Sequence, residues 1–167
     1  MKQRQVVGQT KNGKTVYVDM ESSHAATHIT DTPGLLELIR EVIAELEPEK
    51  DNVYLDKDMG RFVGRSEVVE TTENDKILYA KRLNRTNYTR FVLHRQAEPT
   101  PFVTVVLRKD TEGDYELWSA WIGSAVPQFP GDKFETPQSE PFWRTHALVW
   151  GGQAVQPGTE RQEWPWR

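Results

Sequence analysis

The chain opens with alternating apolar and polar residues on either side of an Asn-Gly pair. The segments "RQVVGQ" and "KTVYVDM" flank Asn12 and Gly13. Asn-Gly between two alternating segments is a strong signal for a two-residue β-turn, so the sequence begins with a predicted β-hairpin. The polar segment "ESSHAATHITDT" follows as a loop or short helix, and it contains His24 and His28.

Apolar residues then recur at the spacing of an α-helix. They are Leu35, Leu36, Ile39, Val42, Ile43 and Leu46. Thr32 is a suitable N-cap and Pro33 a suitable first helical residue. The pattern therefore predicts an amphipathic helix from Pro33 to Glu47, whose apolar stripe packs on a sheet.

Closely spaced strand patterns occupy the chain after Val53. They are "NVYLD", "RFVGRSEVVETT", "DKILYAKR", "NYTRFVLHR", "PFVTVVLRK" and "DYELWSAWIG", with "DTEGD" as a second hairpin signal. The segment "SEPFWRTHALVW" predicts a short helix capped by Ser139 and then an extended stretch. The predicted class is α+β: an N-terminal hairpin and amphipathic helix packed on a twisted antiparallel sheet of four to six strands, with a short C-terminal helix.

Composition narrows the class of protein without identifying it. The 167 residues suit one domain, 1–167, in which residues 151–167 form a tail that Trp164 and Trp166 are expected to dock. The absence of cysteine excludes disulfides and thiolate metal sites, and it fits a reducing compartment. No apolar run is long enough to span a membrane, and no secretory signal is visible. We expect a cytoplasmic protein, or one delivered into a target cytoplasm by a toxin or phage system.

A basic block interrupts a chain whose formal net charge is -4. Between Lys76 and Arg95, six of twenty residues are Lys or Arg, and none is Asp or Glu. Strand parity predicts one sheet face with the side chains of Tyr79, Lys81, Tyr88 and Arg90. Such a face grips a phosphate and stacks a base, although Lys and Arg also commonly line the solvated side of a sheet. A later strand is predicted to place Tyr115, Leu117, Ser119 and Trp121 on one face.

Histidines supply the candidate acid–base groups. His24 and His28, four residues apart, would share one helical face; zinc normally needs a third protein ligand, and no HExxH pattern or cysteine supplies one. Acid–base chemistry is therefore the better functional interpretation. His146, in "FWRTHALVW", is either a hydrogen-bonded core histidine or an acid–base group, and His94 is expected to be merely exposed.

No phosphate-binding loop, dinucleotide fingerprint or nucleophile elbow is present. The remaining set of His, Lys or Arg, and hydroxyl groups is the one that metal-free ribonucleases use. In those enzymes a base takes the 2′-OH proton, cations stabilise the charge on the phosphate, and an acid protonates the leaving 5′ oxygen.

Several segments of the chain resemble bacterial and phage proteins of the barnase, EndoU, colicin and RelE-like ribonuclease superfamily. The most specific segments are "YAKRLNRTNYTRFV", "LWSAWIG" with the Pro-rich loop after it, and "FWRTHALV". Together with "VYVDMESSHAATHI" they extend the resemblance over residues 16–150. It implies a helical element before a four- or five-stranded antiparallel sheet, with the active site on the sheet face.

The resemblance also implies residue roles. His28, with His24 as the rival, would be general base or acid, and His146 the second acid–base group. Lys81 and Arg90 would bind phosphate, with Arg82 in the same substrate-binding set. Ser119, where relatives often have Thr, would hold the substrate, and Tyr79 or Tyr88 would stack a base. No metal and no cofactor is implied.

The resulting hypothesis is a metal-independent endoribonuclease of the toxin or effector type, acting on transfer RNA or another structured RNA. Its expected partners are RNA and an immunity or antitoxin protein, with no membrane. Two alternatives stay open. One is a catalytically inactive nucleic-acid-binding module on the same fold, and the other is a protein-interaction domain whose six tryptophans mark an interface.

Overall fold

The computed structural model describes residues 4–21 and 24–166. Its strands are β1 (Arg4–Gln9), β2 (Thr15–Asp19), β3 (Asn52–Asp58), β4 (Gly64–Ser66), β5 (Val68–Glu70), β6 (Ile77–Lys81), β7 (Tyr88–Val92), β8 (Glu98–Thr100), β9 (Phe102–Lys109), β10 (Tyr115–Ile122) and β11 (His146–Val149). Its helices are α1 (His24–Asp31), α2 (Leu35–Ile43) and α3 (Ser139–Thr145). The predicted α+β class is confirmed.

The structure divides the chain into two compact units. Unit 1 comprises Met1–Gly64 and Thr100–Ala125, and unit 2 comprises Arg65–Pro99 and Val126–Arg167. The predicted single antiparallel sheet differs from what is observed. Each unit has its own larger sheet, and each of these sheets includes one parallel pair of strands.

Unit 1 is a five-stranded sheet with two helices on one face. The strand order is β1-β2-β10-β9-β3, with β2 parallel to β10 and the other neighbours antiparallel. The hairpins predicted at Asn12-Gly13 and at "DTEGD" are confirmed, since β1 pairs with β2 and β9 with β10 antiparallel. The predicted two-residue turn at Asn12-Gly13 is wrong: β1 and β2 pair from Gln9 and Thr15, and Gly13 has positive φ but Asn12 does not. The predicted packing of the amphipathic helix is also confirmed, since α2 buries Leu35, Ile39 and Val42 against this sheet.

The helix α2 is shorter than its apolar pattern predicts. It begins at Leu35 rather than Pro33, because Gly34 is the N-cap residue and has a left-handed φ of 85°. Thr32 therefore does not cap it, although the backbone N–H of Leu35 donates to the Thr32 carbonyl. Among the described residues, no helix has the length and apolar character needed to cross a membrane.

A β-bulge in β10 overturns the predicted face of that strand. Leu117 pairs with Leu107, but Ser119 pairs with Val106, so Trp118 is the extra residue. One extra residue reverses the side-chain alternation beyond it. Tyr115 and Leu117 therefore face the core together with Ala120, whereas Ser119 and Trp121 lie on the opposite face.

Close packing against Gly64 provides a test of unit 1. A Cβ added there would lie 2.9 Å from each of two carbon atoms of the Ile122 side chain. We expect Gly64→Ala to lower the free energy of unfolding by about 1–3 kcal/mol, because overpacking forces neighbours off their preferred positions. Urea unfolding measures the change, and the matched control is Gly64→Ala combined with Ile122→Ala. If the two substitutions prove additive, the contact is not the cause.

Unit 2 is a four-stranded sheet with an aromatic core. The order is β5-β11-β7-β6, with β11 parallel to β7 and the other pairs antiparallel. The predicted helix and extended stretch in "SEPFWRTHALVW" are confirmed as α3 and β11, though Gln138 rather than Ser139 is the N-cap residue. The core includes Phe91, Phe129 and Trp143.

The C-terminal tail docks along β6, as Trp164 and Trp166 predicted. Tyr79 and Arg161 exchange two backbone hydrogen bonds of 2.7 Å, and the N–H of Gln156 donates to the Lys81 carbonyl. Both tryptophan rings contact the Tyr79 ring edge-on. The tail thereby covers backbone groups of β6 that an edge strand would leave unpaired.

Candidate functional site

The predicted site residues belong to both units. Unit 1 contains His24, His28 and Ser119, and unit 2 contains His146, Lys81, Arg82, Arg90, Tyr79 and Tyr88. That they meet in one site stays a prediction.

The β6–β7 hairpin has the register that its alternation predicts. Tyr79 lies opposite Arg90 and Lys81 opposite Tyr88, so these four residues share one face. The Lys81 ammonium lies 5.1 Å from the centre of the Tyr88 ring, a cation–π distance, and both residues are half-buried. Tyr79, in contrast, is only 5 % exposed. Of the two predicted stacking residues, Tyr88 alone has an accessible ring.

Arg90 acts as an internal cation, although the sequence predicts it on a face that binds phosphate. It is 8 % exposed, and its Nη1 donates to the Thr71 hydroxyl at 2.9 Å and to the His146 carbonyl at 3.0 Å. These bonds connect β7 to β11, and the buried Nε has no partner. The guanidinium is used inside the unit, so the geometry gives no support to a phosphate contact at Arg90.

Arg82 lies on the other face of the hairpin, where it is held by neutral groups. Its Nε donates to the Thr89 hydroxyl at 3.0 Å and its Nη1 to the Gln153 side-chain oxygen at 3.2 Å. The guanidinium carbon lies 5.5 Å from the centre of the Phe129 ring. Burial, and then the neighbouring Arg85 guanidinium, lower the pKa of Arg82 to about 10. The side chain stays cationic at neutral pH, with no hydrogen bond to a carboxylate.

The imidazole of His146 is fixed in orientation. Its ring stacks on Phe142 with centres 4.0 Å apart, and its Nδ1 lies 3.0 Å from the Phe142 carbonyl and 2.9 Å from the Thr145 hydroxyl. A carbonyl oxygen can only accept, so the hydrogen bond to Phe142 requires the proton on Nδ1. Nε2 then carries the lone pair of the neutral ring. A half-buried imidazole with one nitrogen anchored is suited to proton transfer at the other.

Strand pairing brings His146 and Arg82 to the same face. Leu148 of β11 lies opposite Phe91 of β7, so parity two residues earlier puts His146 and Thr89 on one side of the sheet. Thr89 is also the residue that accepts from Arg82. Unit 2 thus combines an oriented imidazole with a cation.

The histidines of unit 1 lie on α1, as their spacing predicts. His28 is exposed on that helix, and His24 is its first residue, with its side chain outside the described part. Ser119 is half-buried on the sheet face opposite α1 and α2 because of the bulge at Trp118. Trp118 itself is 40 % exposed, with the Arg108 guanidinium 3.7 Å above its ring.

Three carboxylates come together in the β9–β10 turn. Oxygens of Asp110, Glu112 and Asp114 lie within 4.8 Å of one another. Asp110 accepts from the Glu112 and Asp114 backbone and from the Tyr17 hydroxyl. Burial, and then the hydrogen bond to Asp110, raise the pKa of Tyr17 to about 12. These contacts explain the acidic residues as parts of the turn.

Arg82 has further neighbours at its turn that lie outside the predicted set. Arg85 follows it in the turn, and Gln156 of the tail contacts the same turn. A signal for Arg85 existed, since it belongs to the acid-free basic block. Gln156 had none, because its contact depends on how the tail folds back.

Comparison of the chain with family models, curated proteins and solved structures gives no match.

Proposed function

We propose that the protein is a metal-independent endoribonuclease that cleaves RNA through attack of a ribose 2′-OH on the adjoining phosphate. The observation that carries the proposal is His146, whose Nδ1 is anchored to the Phe142 carbonyl so that Nε2 carries the lone pair. Arg82, on the same face as His146, supplies positive charge for the phosphate. Lys81 lies beside Tyr88 on the opposite face of the hairpin.

In the proposed reaction, unit 2 supplies the proton acceptor and the cation, and water supplies the proton that the leaving oxygen takes up. Nε2 of His146 accepts the 2′-OH proton while the 2′ oxygen forms a bond to phosphorus. The bond from phosphorus to the 5′ oxygen breaks, and that oxygen leaves with the electron pair and takes up a proton from water. His146 then returns its proton to the solvent. Arg82 stabilises the charge that builds on the phosphoryl oxygens. The products are a 2′,3′-cyclic phosphate and a 5′-OH end.

A cleavage assay tests the proposal by identifying which phosphodiester bond is cut and which ends are formed. We expect the protein to cut total RNA and transfer RNA, to leave all-deoxy oligonucleotides intact, and to cut a DNA oligonucleotide with one ribonucleotide only after that nucleotide. Mass spectrometry should find the cyclic phosphate, and EDTA should leave the rate unchanged. RNA that stays intact at enzyme excess across a range of pH would contradict the proposal.

A catalytically inactive nucleic-acid-binding domain is the second candidate. The burial of Arg90 favours it, since one cation fewer is available to stabilise the charge of the reaction. It predicts salt-sensitive affinity for RNA without any product. The same samples distinguish the two functions, because binding by fluorescence anisotropy and product formation are read separately.

A further inference from the structure

We propose that the turn between β6 and β7 is a phosphate-binding site in which Arg82 and Arg85 hold a phosphate group of an RNA strand. The site itself follows from the turn. The choice of RNA as the source of the phosphate rests on the proposed function.

The turn brings the backbones of Arg82 and Arg85 together. The backbone N–H of Arg85 donates to the Arg82 carbonyl at 3.2 Å, which closes the turn, and Asn84 between them has a left-handed φ of 61°. Asparagine tolerates this conformation better than most residues. The positive charge of Arg85 repels that of Arg82, and this repulsion is among the causes that lower the pKa of Arg82.

No negative group is paired with these cations. In the described part of the chain, no carboxylate lies within 4 Å of the charged atoms of Lys81, Arg82 or Arg85. Arg95, at the end of the same basic block, is the contrast: it bonds Asp75 at 3.0 Å and Glu98 at 3.3 Å. Asp132 and Glu67 offset part of the repulsion at Arg82 from a greater distance. Two like charges with no carboxylate in direct contact are what an anion would stabilise.

The C-terminal tail holds the turn in this shape. The side-chain amide of Gln156 donates to the Arg82 carbonyl at 3.0 Å and to the Arg85 carbonyl at 2.8 Å. The Leu83 N–H donates to the Ala154 carbonyl, and Gln153 accepts from Arg82. Because the backbone is held before any ligand arrives, less conformational entropy is lost on binding. Arg85 is exposed and available to a ligand.

Guanidinium groups suit phosphate because their N–H donors match two phosphoryl oxygens at once. Two arginines in one turn can therefore bind a single phosphate from two sides. In an RNA strand this would be a backbone phosphate, and its recognition would fix the position of the strand without reading its sequence.

Binding without turnover tests the site. The probes are inorganic pyrophosphate, measured by calorimetry, and a 2′-O-methyl RNA oligonucleotide, which cannot be cleaved, measured by fluorescence anisotropy. We expect Arg82→Gln and Arg85→Gln each to weaken both affinities about tenfold or more, and to reduce the salt dependence of oligonucleotide binding by about one phosphate contact each. Gln156→Ala should weaken pyrophosphate binding although both arginines remain.

Arg95→Gln is the matched control, because it removes the same charge from the same block at a position already paired with carboxylates. It should leave both affinities unchanged. If Arg82→Gln fails to fold by circular dichroism, the exposed Arg85 carries the test alone. Unchanged affinities in Arg85→Gln would overturn the site. A loss for pyrophosphate but not for the oligonucleotide would overturn RNA as its ligand. Because no outcome depends on cleavage, an inactive protein would refute the proposed function and not this site.

Discussion

Replacing His146 with asparagine is expected to lower the rate of RNA cleavage by about 10²–10⁴-fold, the range that a positioned acid–base group contributes. The asparagine amide can still donate to the Phe142 carbonyl, as Nδ1 of the imidazole does. What it lacks is a nitrogen at the position of Nε2. The substitution therefore removes the proton acceptor and preserves the anchor. Single-turnover cleavage of an oligonucleotide with one ribonucleotide measures the rate.

His94→Asn is the control for that experiment, because His94 is an exposed histidine two residues after β7, and Asn tolerates its positive φ of 63°. It should cleave at the wild-type rate. Adding free imidazole to His146→Ala should restore part of the lost activity, a result that a purely structural histidine would not give. A His146→Asn protein as fast as wild type would show that His146 carries no proton in the reaction, and the proposed mechanism would fail with it.

Local sequence patterns predicted the local elements of this fold. Asn12-Gly13 specifies its hairpin because only a few residues accept positive φ, and α2 is visible because its buried residues repeat at helical spacing. The shared face of Tyr79 and Arg90 followed from strand alternation. Each of these features depends on residues near one another in the chain.

Features set by distant parts of the chain could not be read in this way. The bulge at Trp118 depends on how β10 pairs with β9, and it moves Ser119 to the opposite face from Leu117. The parallel pairing of β11 with β7 joins residues more than fifty positions apart. The strand propensities of the residues in β7 and β11 do not predict this pairing.

In the candidate site, too, the sequence predicted what nearby residues determine and missed what distant residues determine. The basic block drew attention to the β6–β7 hairpin, but charge alone could not rank its cations. Arg90 is buried because Thr71 and the carbonyl of His146 satisfy two of its hydrogen bonds. Arg85 belongs to the proposed phosphate site because Gln156, far along the chain, holds the turn that contains Arg82 and Arg85.

Replacing Trp143 with alanine should cause the largest loss of stability among single substitutions in unit 2. Trp143 is 1 % exposed, its ring stacks on Phe129 with centres 3.9 Å apart, and its Nε1 donates to the Pro127 carbonyl at 2.9 Å. Alanine would leave a cavity and an unpaired carbonyl. We expect a loss of about 3–5 kcal/mol in the free energy of unfolding, the range for large-to-small aromatic changes in cores. Urea unfolding followed by circular dichroism measures it.

Trp118→Ala provides the matched control, since it removes the same side chain from an exposed position and costs mainly the contact with Arg108. That contact is a cation–π pair, and exposed pairs contribute about 0.5–1 kcal/mol. Hydrogen exchange separates the effects by place: Trp143→Ala should speed exchange in β7 and β11, whereas Trp118→Ala should leave those strands protected. Equal losses in the two variants would mean that tryptophan burial does not determine the stability of unit 2.

The anchor of His146 depends on the same packing, because Phe142 lies edge-on to Trp143 with ring centres 4.9 Å apart. Loss of this core should therefore also release the imidazole from its fixed orientation.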